Sequence, residues 1–61
     1  MDKFTITCYG SKKEYPESER TAKIVEFAEA VAFCDGSEKE RYANILADLV
    51  ANQKDCRDEW R

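Results

Sequence analysis

The sequence predicts an α+β fold in which a pair of antiparallel helices covers one face of a small sheet. Three observations carry that prediction. The chain opens on an alternating segment, KFTITCY at 3–9, and alternation of apolar with β-branched or polar residues marks a half-buried strand. Two segments with apolar residues at helical spacing follow, joined by Asp35-Gly36-Ser37, a connection short enough to fold them back on each other. A last segment, KDCRDEW at 54–60, is too short and charged for a helix and, if extended, adds a strand that turns Cys56 inward. The expected order is β-α-α-β, with an extra short strand after Gly10 left open.

In the first strand Phe4, Ile6 and Cys8 face the core, while Thr5, Thr7 and Tyr9 face outward. Gly10-Ser11 ends the strand in a turn. Residues 12–15 read either as a short edge strand or as a loop with Tyr15 tucked beneath it, because Pro16 removes a donor and holds Tyr15 extended. The first helix is expected over 19–34 with Ser18 as N-cap. Ile24, Phe27, Ala28, Val31 and Cys34 share one of its faces. Gly36 is expected in the left-handed conformation that stops a helix.

The second helix is expected over 38–51. Ser37 and Glu40 fit a capping box, and Tyr42, Ile45, Leu46, Leu49 and Val50 form its apolar stripe. Asn52 suits the left-handed residue after its end. In an extended C-terminal segment Cys56, Asp58 and Trp60 alternate with Asp55, Arg57 and Glu59. Cys56 is then expected to point inward beside the first strand, with Trp60 over the edge.

Sixty-one residues make one domain, expected over 1–61. The chain has no His, which removes the commonest acid–base group and the commonest metal ligand. The net charge is -3, and neither half gathers charge of one sign. Phosphate binding needs clustered Lys and Arg, so nucleic acid is not an expected partner. The start of the chain lacks the apolar run of a signal peptide, and no stretch has the roughly 18–20 apolar residues of a membrane span. A cytoplasmic protein with reduced thiols, no cofactor and no membrane partner is expected.

Four residues stand out as binding candidates. Phe33 points away from the Ile24/Phe27/Val31 face at about 100° per residue. Tyr9 points away from the core side of the first strand, and Trp60 lies near the C-terminus. Aromatic side chains left outside a core are enriched at binding surfaces. Arg41 is the fourth: it stands three residues after Glu38, within pairing distance on a helix, and reaches Asp58 if the last strand packs nearby. Asp58 and Glu59 otherwise read as solvated acids of a frayed end. Cys8, Cys34 and Cys56 all fall on expected core faces. They pack there as small hydrophobes, or in the alternative reading form a three-thiolate metal or redox site. A second alternative is a small DNA-binding regulator, since two helices with a Gly-containing turn have the outline of a helix-turn-helix. There, Glu38 and Glu40 interleave with Lys39 and Arg41 and repel phosphate. The expected class is therefore not an enzyme but an interaction module, with a protein partner or a second copy.

Gly36, Glu38, Arg41, Tyr42, Ile45, Leu49, Cys56 and Asp58 together resemble a pattern of small proteins of unassigned activity from bacterial mobile elements and phage-like regions. The resemblance spans Gly36 to Asp58, and departs from the pattern at the turn, where Ala51-Asn52-Gln53 replaces the usual Gly. It implies an accessory role in such an element.

Overall fold

The computed structural model describes residues 2–59. The order is β1 (Lys3–Cys8), β2 (Ser11–Pro16), a single 3-10 turn (Glu17–Glu19), α1 (Arg20–Phe33), α2 (Gly36–Val50) and β3 (Asp55–Arg57). This is an α+β fold with three strands, one more than the minimal β-α-α-β expectation. The sheet order is β2-β1-β3, with β1 antiparallel to β2 and parallel to β3.

The hairpin between β1 and β2 decides the open question after Gly10 in favour of a strand. Cys8 pairs with Ser11, so only Tyr9 and Gly10 make the turn. Both have positive φ, +52° and +82°, the backbone that matches the twist of a two-residue hairpin. Tyr9 is therefore a turn residue and not the last residue of the strand. The side chains of β2 show no apolar alternation, so turn geometry and backbone pairing set this strand.

Inward residues of β1 and β3 build the core as expected. Phe4, Ile6, Ile45, Leu49 and Cys56 are buried, with Cys8, Tyr15, Ile24, Phe27 and Tyr42 packed around them. Cys56 pairs in register with Ile6. Val50 departs from the expected stripe: it is the last residue of α2 and 66 % exposed.

The helix ends differ from expectation. The 3-10 turn precedes α1, and Glu19 rather than Ser18 is its N-cap, without a side-chain hydrogen bond. α2 starts at Gly36 after an Asp35 N-cap, again without a side-chain cap, so the Ser37–Glu40 box does not close this terminus. Gly36 does take positive φ, +68°, and reverses the chain between the helices. The far end of α2 matches the expectation for Asn52, whose φ is +62°. Its N–H donates to Leu49 O (3.1 Å), and the Gln53 N–H donates to Asp48 O (3.0 Å). That hydrogen-bond pair is a Schellman closure with Asn in the place glycine usually takes.

Arg20 meets Leu49 and Phe27 meets Tyr42, so rising numbers on α1 meet falling numbers on α2. The helices lie antiparallel and side by side over at least two turns.

Candidate functional site

Asp58 follows β3 and is 3 % exposed. Its N–H donates to Thr7 O at 3.0 Å, extending the β1–β3 pairing by one residue. Its carboxylate Oδ2 accepts from the Tyr9 N–H at 2.8 Å and from Arg41 Nη1 at 2.9 Å. Its carbonyl accepts from Asn44 Nδ2 at 3.1 Å. One residue thus ties the β1–β2 turn and α2 to the C-terminal segment. Burial pushes the Asp58 carboxyl up, but the Tyr9 N–H and the Arg41 guanidinium outweigh it and hold it below the usual carboxylate range.

Arg41 in turn lies 4.7 Å from the centroid of the Tyr9 ring, a cation–π distance. The Tyr9 ring is 56 % exposed, and its backbone sits in the left-handed region that a non-glycine residue enters at a cost. Desolvation first, then the Glu38 charge, raises the Tyr9 hydroxyl pKa, so it remains a neutral donor and acceptor at physiological pH. The result is a fixed aromatic face beside a guanidinium whose own position is set by a buried acid.

Tyr9 and Arg41 are thus brought together, and Arg41 pairs with Asp58 rather than with Glu38. Asp58 is a buried partner and not a solvated terminal acid. Phe33 is 86 % exposed at the end of α1 and in no ring contact among the described residues, and the structure shows no bond joining it to Tyr9, Arg41 or Asp58 among the described residues. Trp60 lies outside the described residues.

The thiols do not gather. Among the described residues no group of three His, Cys, Asp or Glu side chains is arranged to hold a metal ion, so Cys8, Cys34 and Cys56 do not form the three-thiolate arrangement. Burial raises the Cys8 and Cys56 thiol pKa values, which lowers their thiolate fraction and their nucleophilicity at neutral pH.

Sequence reasoning missed Arg20, which is 8 % exposed. Its Nε and Nη2 grip the Glu17 carboxylate at 2.8 and 2.7 Å. Its Nη1 and Nη2 also donate to Leu49 O at 3.0 Å and Gln53 O at 2.8 Å, at the end of α2. The guanidinium lies 4.5 Å from the Phe4 ring centroid. A signal existed: Arg20 stands four residues before Ile24 and seven before Phe27, on the core face of α1. These contacts anchor the helices to each other and leave the group enclosed, so Arg20 belongs to the scaffold.

Comparison with protein-family models, with curated proteins and with solved structures finds no match for this chain.

Proposed function

We propose that this protein is a non-enzymatic interaction domain that presents Tyr9 and Arg41 to a protein partner. The observation that carries the reading is the conformation of Tyr9. An exposed aromatic occupies a turn position with φ of +52°, where Gly, Asn or Asp fit at lower cost. Its N–H and its ring are both held, by Asp58 and Arg41 respectively. Strain retained for a side chain that contributes little to the core is consistent with a role on the surface. Tyrosine and arginine are both enriched among the residues that anchor one protein on another. The absence of His supports a reading without acid–base catalysis. The accessory role in a mobile element rests on the resemblance over Gly36 to Asp58 and extends this proposal to a host or phage component as the partner. No helix among the described residues is long and apolar enough to cross a membrane.

The test is affinity capture from host lysate with the wild type and with Tyr9→Asn, which keeps a residue suited to the turn. The reading predicts a protein retained by the wild type and lost from the variant while its circular dichroism is unchanged. Equal retention by both, or no protein specific to the wild type, contradicts it.

A further inference from the structure

The β2 edge of the sheet carries a second feature. Among the described residues β2 pairs only with β1, and the direction of its free backbone groups follows from β1. The Thr5 N–H donates to Lys54 O, and Thr7 O accepts from the Asp58 N–H, so Thr5 and Thr7 point their backbone groups at β3. Phe4, Ile6 and Cys8 then point theirs at β2, bonding Tyr15, Lys13 and Ser11 in the observed register. Lys12 and Glu14 are left with N–H and C=O groups aimed outward along the edge.

A groove of about 250 Å³ lies on the helix side of that edge, between β2 and α1, lined by Ile6, Cys8, Lys13, Tyr15 and Phe27 among others. An open strand edge above a groove with apolar walls (Ile6, Tyr15 and Phe27) and polar groups at its rim (Ser11 and Lys13) is an arrangement to which an extended peptide adds as a further strand.

Charge selects the occupant. Lys12 and Lys13 follow each other on the edge and project to opposite faces of the sheet, in a chain of net charge -3, and Lys13 forms no ion pair among the described residues. A second copy is matched less well than an acidic segment. Of the three antiparallel edge-to-edge registers open to Lys12 and Glu14, two set Lys12 or Glu14 on itself, and the third sets Lys13 on itself against two Lys12–Glu14 pairs, whereas an acidic segment gives two Lys–acid pairs with no like pair opposite. The geometry points to β2 as the docking edge for an extended acidic segment of another protein, one that carries two adjacent acidic residues flanked by apolar ones. In an antiparallel addition the two acids lie opposite Lys13 and Lys12. The residues opposite Tyr15 and Ser11 turn their apolar side chains to the groove, and a neutral residue lies opposite Glu14. Docking at this edge needs neither the Tyr9 ring nor the Arg41 guanidinium and stands or falls without them.

The probe is the fluorescein-labelled peptide Ser-Val-Thr-Glu-Glu-Val-Ser, with a Lys-Lys peptide in place of Glu-Glu as its control. Anisotropy at low salt is expected to show the wild type binding the acidic peptide at least about tenfold more tightly than the control. The Lys12→Glu, Lys13→Glu double variant is expected to reverse that preference, and Tyr9→Asn to leave it unchanged. The backbone amide resonances of Lys12 and Glu14 are expected to shift on binding. No binding at millimolar peptide, equal binding of both peptides, shifts confined to residues outside β2, or a concentration-dependent dimer abolished by Lys13→Glu would each overturn the inference.

Discussion

Asp58 shows how much one side chain can hold in a chain of this size. Its carboxylate is buried and accepts two hydrogen bonds, one from a backbone N–H and one from a guanidinium. A charged acceptor of this kind is worth about 1.5–3 kcal/mol per hydrogen bond, and leaving a buried partner unpaired costs more than the bond itself contributes. The two partners differ in exposure: Arg41 is partly solvated, whereas Asp58 is not. Removing Arg41 lets water approach the acid. Removing Asp58 frees the Tyr9 N–H and the Arg41 head together and empties a buried position. Arg41→Ala is therefore expected to cost about 1–2 kcal/mol and Asp58→Ala about 2–4 kcal/mol in urea unfolding. Equal losses, or a smaller loss for Asp58→Ala, would show that the acid does not organise this end of the molecule.

At the scale of elements, the start of α1 and the end of α2 are joined through Arg20, and that joint is sensitive to acid. The Arg20 guanidinium, with a smaller contribution from Lys54, holds the Glu17 carboxyl at about 2, against an ordinary value of 4.5. A carboxyl that is more acidic in the folded state contributes stability above its unfolded pKa and loses it as pH falls toward the folded value. Urea unfolding of Glu17→Gln and wild type should differ most near neutrality, and the gap should narrow as pH drops from about 4.5 toward about 2. A gap that stays constant across that interval would mean the ion pair does not couple to folding. The same joint marks what the sequence concealed. The stripe Tyr42, Ile45, Leu49 was legible because helical burial repeats locally, and so was the inward turn of Cys56. β2 was not, since SKKEYP is held by its backbone partner and not by a pattern of side chains. Arg20 was hidden because its charge disguised a core position, and Asp58 because its partners lie 17 and 49 residues away in the chain. At the candidate site Tyr9 and Arg41 were each visible singly. Their stacking required the turn, which only the positive φ at Tyr9 reveals.

Over the whole molecule, a three-stranded sheet with helices on one side leaves two edges of different character. On the β3 side the Arg57 N–H donates to the Asp48 carboxylate of α2, while Asp58 ties the β1–β2 turn, with Tyr9, to Arg41 of α2. The β2 side is open, basic and grooved. A chain of 61 residues has a total stability of only about 3–9 kcal/mol, so strain at a surface turn is a noticeable fraction of it. The central claim is that Tyr9 is there for display and not for folding, and Tyr9→Gly tests this most directly. Glycine removes a left-handed strain of about 1–2 kcal/mol. Against that it loses about 0.5–1 kcal/mol in chain entropy and a similar amount in the contact with Arg41. The urea unfolding free energy of Tyr9→Gly is therefore predicted to lie within about 1 kcal/mol of wild type, whereas a loss beyond about 2 kcal/mol would make Tyr9 a structural residue and contradict the account.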